Sequence, residues 1–295
     1  MLSRILSHLA LALLWLLHFL PFPLLAALGR GFGRVLYYIA VRRRKIARIN
    51  LAWCFPELNE SQRTQLTRSN FETLGRSIIE RGILWWASPE YISRLIQIDG
   101  VEKIHALQAA GRPIILLAPH FLGLDVGGVA IAMRFKAVTI YAAQSNPVFD
   151  NIVRKGRIRF GDSIMLSRQD SVRASIKAMR SGRVFYYLPD LNLRRRDSIF
   201  VPFFGIQTAT ITGLSRLAKA AGAAVVPCVT RMLPGGQGYQ VEIGDAWADF
   251  PSEDIEADTA RMNAWIEAKI RTMPEQYYWV HRRFKTRPIG EPKPY

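Results

Sequence analysis

The sequence predicts an α/β fold, a mostly parallel central sheet flanked by helices, preceded by an N-terminal hydrophobic membrane-anchoring helix. Three observations carry that reading. From Val101 onward, short apolar runs alternate with segments of helical periodicity, the rhythm of βα units. The runs at 114–117, 184–188 and 224–227 are apolar at nearly every position rather than every second one, as strands are when helices cover both sheet faces. Residues 5–28 include no formally charged side chain, and the first acidic residue of the chain is Glu57.

The uncharged stretch is rich in Leu, Ala, Trp and Phe. At about 1.5 Å per residue it is long enough to cross a hydrocarbon layer of about 30 Å. Pro21 and Pro23 interrupt it and leave 5–20 as the unbroken helical part, so an interfacial helix and a spanning one are both open. A cleaved signal peptide competes, because Arg4 precedes the apolar run and Ala26-Ala27 offers small residues to a peptidase. The flank opposes export: Arg30, Arg34, Arg42, Arg43, Arg44, Lys45 and Arg48 follow, and such charge stays on the cytoplasmic side and draws anionic head groups. The expected organisation is an anchor over 1–29, a basic linker over 30–60 and one α/β domain over 61–295.

Within that domain Ser61 is expected to cap a helix on which Leu66, Phe71, Leu74, Ile78 and Ile79 share a face, ending near Gly82. Then follow a helix over 101–110 closed by Gly111, a strand over 114–117, a helix over 124–133 and a strand over 137–142. The alternation continues with a helix over 148–160, a strand over 164–166, a helix over 170–180, a strand over 184–188, a helix over 210–221 and a strand over 224–227. Pro234, Gly235, Gly236 and Gly238 turn the chain into 239–243, whose strict apolar/polar alternation suggests a half-exposed hairpin strand on the sheet edge. A last helix occupies 254–271. No repeat and no shift in composition divides the chain after residue 60.

At 295 residues and 49% hydrophobic content, the chain can bury a core, which excludes disordered and low-complexity classes. Two cysteines, Cys54 and Cys228, are too few and too far apart for a disulfide scaffold or a zinc cage, so no metal and no redox cofactor is expected. Forty Lys and Arg against 23 Asp and Glu give +17, enough to attract nucleic acid, anionic lipid or an acidic protein. Basic groups recur at Arg154, Lys155, Arg157 and Arg159, at 194–196, and at Arg282, Arg283, Lys285 and Arg287. Zinc-finger spacing, ribonucleoprotein motifs and a helix-turn-helix signature are missing, so nucleic acid is set aside as a partner.

Of the histidines at 8, 18, 105, 120 and 281, only His120 has a carboxylate, Asp125, five residues later. His120 also follows an apolar strand, where α/β sheets place their ligands. Such a pair supplies a base near neutral pH and an acid that holds its tautomer while stabilising the imidazolium. The competing structural reading is a strand-end histidine bonded to a helix-capping aspartate. With no Gly-x-Ser-x-Gly elbow and no cysteine near His120 in sequence, direct transfer between two bound substrates is more natural than a covalent acyl-enzyme.

The run Pro119-His120-Phe121-Leu122-Gly123-Leu124-Asp125 resembles the His-x4-Asp/Glu motif of the bacterial lipid A late acyltransferase family, the lauroyl/myristoyl acyltransferases. Tyr141 with Asn146-Pro147, Gly156-Arg157, Pro189-Asp190-x-Asn192, the segment 200–205 and the segment from Pro274 to Arg287 are similar to that family's motifs in their usual order. The resemblance covers nearly the whole chain. It implies transfer of a fatty acyl group from acyl carrier protein to a hydroxyl on a lipid A precursor, at the cytoplasmic face of the inner membrane. His120 is then the base and Asp125 its partner, with Asp where many members carry Glu, which shortens the reach by one methylene. Arg157 is expected to bind an anionic group, either an acceptor phosphate or charge developing at the thioester. Asp190 is expected to position backbone or an arginine near the dyad. Asn146, Arg159, Arg282 and Arg283 complete the expected substrate-binding set, and Phe121, Leu122 and Leu124 are candidates to wall an acyl tunnel. Two rivals stand beside this reading: the same dyad acting on another membrane glycolipid such as a phosphatidylinositol mannoside, and a membrane-tethered basic binding module without catalysis, for which His120→Ala would leave function intact.

Overall fold

A seven-stranded sheet forms the centre of the molecule, described in a computed structural model over residues 2–167, 171–192 and 198–295, without the side chains of residues 2, 3 and 171. The basic group at 194–196 lies outside the described residues. In chain order the strands are β1 (Ile96–Asp99), β2 (Ile114–Leu117), β3 (Ala137–Tyr141), β4 (Ile164–Ser167), β5 (Val184–Tyr187), β6 (Ser198–Phe203), β7 (Ile206–Ile211), β8 (Ala224–Met232) and β9 (Tyr239–Ile243). The large sheet has the order β1-β9-β8-β2-β5-β3-β4, and every neighbouring pair is parallel except β8 with β9. The helices are α1 (Leu2–Leu17), α2 (Phe22–Ile39), α3 (Val41–Cys54), α4 (Glu60–Ile79), α5 (Arg81–Trp86), α6 (Pro89–Leu95), α7 (Val101–Ala109), α8 (Leu124–Ala132), α9 (Pro147–Arg157), α10 (Ser171–Arg180), α11 (Gly213–Ala221) and α12 (Ile255–Thr272). The mostly parallel, helix-flanked sheet is the one the apolar runs predict.

All four residues of β2 and all four of β5 are buried, and their alternation divides two cores. Ile115, Leu117, Phe185 and Tyr187 face the cluster shared with α3 and α12. Ile114, Leu116, Val184 and Tyr186 face the one under α8. Helix α4 starts at the Asn59/Gln62 capping box, two residues before the expected Ser61 cap.

Three expectations are corrected. The 239–243 strand is not an edge, because β1 pairs outside it; its polar positions Gln240 and Glu242 are half-buried and exposed while the strand is still flanked on both sides. The segment 198–211 forms an antiparallel hairpin, β6 with β7, through Phe204 and Gly205, both at positive φ. Phe-Gly is not one of the pairs that announce such a turn, and helix α11 accordingly begins at Gly213 rather than 210. The stretch 30–60 read as a linker is helical over most of its length, with Ala47, Asn50 and Leu51 of α3 fully buried. Its charges hide that packing from composition, since Arg42, Lys45 and Arg48 stay exposed while Arg43 and Arg44 donate to the Val280 and Tyr37 carbonyls.

The apolar start breaks at Pro21 into α1 and α2. Among the described residues no single helix is long and apolar enough to cross a membrane, and the one pair that passes together, α2 with α3, is bent by 93°.

Candidate active site

Parallel strands bring their carboxyl ends to one edge, and the site is assembled there. The register pairs Leu117 of β2 with Tyr187 of β5. Each strand then runs into a proline, Pro119 and Pro189, which cannot donate to the ladder and ends it. The next residues are His120 and Asp190, which meet: His120 Nδ1 lies 2.7 Å from Asp190 Oδ1, and the His120 backbone N–H donates to Asp190 Oδ2 at 2.9 Å. The Tyr277 hydroxyl donates to the same Oδ2 at 2.9 Å. Asp190 is 1% exposed, and although burial opposes its charge, the His120 imidazole and these hydrogen bonds hold its carboxyl below the ordinary range. An ionised carboxylate accepts, so Nδ1 carries a proton and Nε2 is the nitrogen turned away from the carboxylate.

The segment 275–281 buttresses this pair. Tyr278 N–H donates to the His120 carbonyl at 3.0 Å, Leu122 N–H donates to Gln276 O at 2.7 Å, and the Tyr278 ring stacks on His120 at 6.5 Å between centroids. Asn70 of α4 donates to the carbonyls of Glu275 and Tyr277, and Asn50 of α3 to those of Trp279 and His281. His281 Nε2 accepts from the Asn192 N–H at 3.1 Å and so steadies the loop that carries Asp190. Burial, with Arg283 and His120 adding to it, pushes the His281 imidazole down to about 4, which keeps it neutral and able to accept.

Asp125 stands elsewhere. On the first turn of α8, it is gripped by two guanidinium groups, Arg157 at 2.8 Å on Oδ1 and Arg81 at 3.1 Å on Oδ2. Burial opposes its charge, but Arg157 and Arg81 outweigh it and hold the carboxyl down to about 2. Asp125 is near enough to His120 for the charges to interact, yet the carboxylate bonded to the imidazole is Asp190.

The other expected residues divide sharply. Arg157 faces the site, with its guanidinium 5.3 Å from the Tyr141 ring. Asn146 caps α9, accepting from the N–H groups of Val148 and Phe149 while its amide donates to Ser7 of α1 at 2.8 Å. Arg159 is occupied by the carbonyls of Leu84 and Ala87. Arg283 is 2% exposed and donates to Ala209 O and Thr210 Oγ1, which joins the hairpin to the carboxyl-terminal segment. Arg282 lies over the Tyr295 ring at 5.8 Å. Phe121 is core, packed edge-on against Tyr277. Sequence reasoning missed Arg81, Tyr277, Tyr278 and His281. The last three lie in a recognisable motif segment, whereas nothing in the sequence links Arg81 to a carboxylate 44 positions on.

An apolar cavity runs between α8 and strands β3 to β5, with Leu124, Val129, Ile164, Met165 and Tyr186 along it and Asp125 and Arg157 also on its wall. Both cysteines are buried and free, and burial raises both thiols, Cys228 to about 12, so neither serves as a thiolate nucleophile. Among the described residues no three His, Cys, Asp or Glu side chains converge as metal ligands would.

Residues 1–286 match the family model described as bacterial lipid A biosynthesis acyltransferase. The chain is 40% identical to the lipid A biosynthesis lauroyltransferase of Escherichia coli strain K12 over 98% of its own length and 94% of that protein. It is 31% identical to the palmitoleoyltransferase of the same organism over 97% and 93%, and 32% identical to its myristoyltransferase over 92% and 83%.

Proposed function

Because the chain belongs to the bacterial lipid A biosynthesis acyltransferases, and is therefore an acyltransferase, we propose that it moves a fatty acyl chain from acyl carrier protein to a hydroxyl of a lipid A precursor at the cytoplasmic face of the inner membrane. The observation that carries the mechanism is the buried Asp190 carboxylate 2.7 Å from His120 Nδ1. His120 Nε2 takes the proton of the acceptor hydroxyl as that oxygen attacks the thioester carbonyl. Asp190 holds the imidazole in the required tautomer and stabilises the imidazolium. The tetrahedral adduct then collapses, the carbon–sulfur bond breaks, and the leaving thiolate recovers the proton from His120. An ester and a free carrier thiol result.

Asp125 has a different task in this scheme. It fixes Arg157 and Arg81 side by side, and their remaining N–H groups meet an acceptor phosphate or the developing oxyanion. The cavity beneath α8 takes the acyl chain, since its wall is largely apolar and includes Asp125, whose charge interacts with that of His120. The excess of Lys and Arg suits an acidic carrier protein and a phosphorylated glycolipid together.

The test is transfer of radiolabelled acyl chains from acyl carrier protein to a tetra-acylated lipid A precursor in detergent. Wild type should transfer and a folded His120→Ala variant should not. Equal transfer by both would remove His120 from the mechanism, and transfer to phosphatidylinositol mannoside alone would reassign the acceptor.

A further inference from the structure

Of the seventeen large apolar side chains exposed among the described residues, fourteen fall within residues 5–41. They include Leu9, Leu13 and Leu16 on α1 and Leu28, Phe32 and Val35 on α2. The opposite faces of both helices are seated on the domain along their length. On α1, Ser7 and Leu14 are buried, and a Cβ on Gly82 of α5 would come within 2.7 Å of the Leu14 carbonyl. On α2, Leu25, Gly29 and Gly33 press on α4, where a Cβ at Gly33 would lie 2.2 Å from Phe71 O and one at Gly75 2.3 Å from Gly29 O. Helix α2, joined backbone to backbone with α4, which carries Glu60, Arg63, Arg68, Glu72 and Arg76, cannot enter a hydrocarbon layer without taking those charges along. Helix α1, 16 residues long and seated on α5 through the Gly82–Leu14 approach, is short of the roughly 20 residues a span needs.

We propose that α1 and α2 form an in-plane platform that docks on the surface of an anionic bilayer, and that neither helix crosses it. This deepens the membrane part of the proposed function and rests on it. The occupant follows from charge: Arg30, Arg42 and Lys45 lie on or just after α2, beside Arg34, which is paired with Glu72, and no acidic residue precedes Glu57 in the chain. A second copy seated on the same face would oppose like charges, whereas anionic head groups complement them.

The platform also sits on the site. Helix α1 is tied to α9 by the Ser7–Asn146 bond, and His18, just past its end, packs against Trp86 of α5 with ring centroids 5.9 Å apart. These two helices carry Arg157 and Arg81, the pair that grips Asp125. Docking therefore holds the two arginines beside the head-group layer, where a lipid acceptor arrives without leaving the membrane.

The full chain is mixed with preformed vesicles of phosphatidylcholine alone or with phosphatidylglycerol and floated, and bound protein is treated with carbonate at high pH and with protease from outside against an N-terminal tag. The expected result is flotation on anionic vesicles only, release by carbonate and cleavage of the tag. A Leu9→Glu/Leu13→Glu/Phe32→Glu variant should lose about tenfold or more of its bound fraction while keeping transfer to detergent-dispersed acceptor. Carbonate resistance with a protected tag would overturn the proposal in favour of a span. Flotation unchanged in the variant, or equal on neutral vesicles, would overturn the platform or its charge preference, and binding to an acidic protein instead of vesicles would change the occupant. Loss of transfer even in detergent by wild type would instead sink the proposed function.

Discussion

His120 and Asp190 are 70 positions apart in the chain, and each lies three residues past Leu117 and Tyr187, which are paired in register across β2 and β5. The shared offset is why the imidazole and the carboxylate meet at 2.7 Å. It separates two carboxylates that both lie near His120: Asp190 is bonded to the ring, and Asp125 is bonded to arginines.

Substituting the two carboxylates should therefore give different kinetics. Asp190→Asn keeps the shape but loses the charge that fixes the Nδ1–H tautomer, and kcat should fall by about 10³-fold or more. Asp125→Asn should act mainly on KM, by about ten- to a hundredfold, because it loosens Arg157 and Arg81 rather than the His120–Asp190 bond. Steady-state transfer assays on both variants, with melting curves to show that each is folded, decide it; equal kcat losses would mean that Asp125 also serves the imidazole.

Acid should loosen the arginine clamp only below the ordinary carboxylate range. The Asp125 carboxyl is held at about 2 against an ordinary 3.8, so its contribution is complete above 3.8 and lost as pH falls through about 2. With a quarter of the side chain open to solvent, about 1–2 kcal/mol is expected. Urea midpoints at pH 4.5 and 2.5 should fall further for wild type than for Asp125→Asn.

His281 works in the opposite sense. Its imidazole stays neutral down to about 4 in the folded protein against an ordinary 6.5, so the unfolded chain binds the extra proton between those values and stability falls as pH drops from 6.5 to 4, by roughly 3 kcal/mol. His281→Gln keeps an acceptor for the Asn192 N–H and should flatten that slope, measured as urea midpoint against pH. An unchanged slope would place the titrating group elsewhere.

The cavity beneath α8 should measure the acyl chain. Gly128 lies on its wall, and a Cβ there meets nothing closer than the Tyr186 ring at 3.7 Å, so one carbon fits but a larger side chain enters the cavity. Gly128→Leu is expected to lower kcat/KM for long acyl donors by about tenfold or more while sparing short ones, since each methylene is worth about 0.8 kcal/mol. Competition between donors of different length in one reaction reads the change directly. A uniform loss would place the chain elsewhere.

The close approach of α2 and α4 gives a stability test independent of chemistry. Gly33→Ala puts a Cβ 2.2 Å from the Phe71 carbonyl, so the helices must separate, at about 2 kcal/mol or more. Thermal melting of the variant in detergent should show it, whereas Gly31→Ala, which meets nothing within 4 Å, should not be destabilised.

Local pattern was sufficient for the alternation of strands and helices, for the burial of β2 and β5, and for the place of His120 just past the carboxyl end of a strand, because periodicity and apolar runs are written in neighbouring residues. It misplaced 30–60, because the arginines of α3 dominate the composition while Ala47, Asn50 and Leu51 do the packing on the other face. Spacing proposed Asp125 as the imidazole's partner, and basic clustering drew in Arg159 and Arg283, whose guanidiniums the fold gives to carbonyls and a hydroxyl. Which carboxylate bonds His120, which arginines are free and which face of α1 and α2 is left bare are properties of strand register and helix packing. These join residues 44, 70 or more positions apart, and no window of the chain contains both partners.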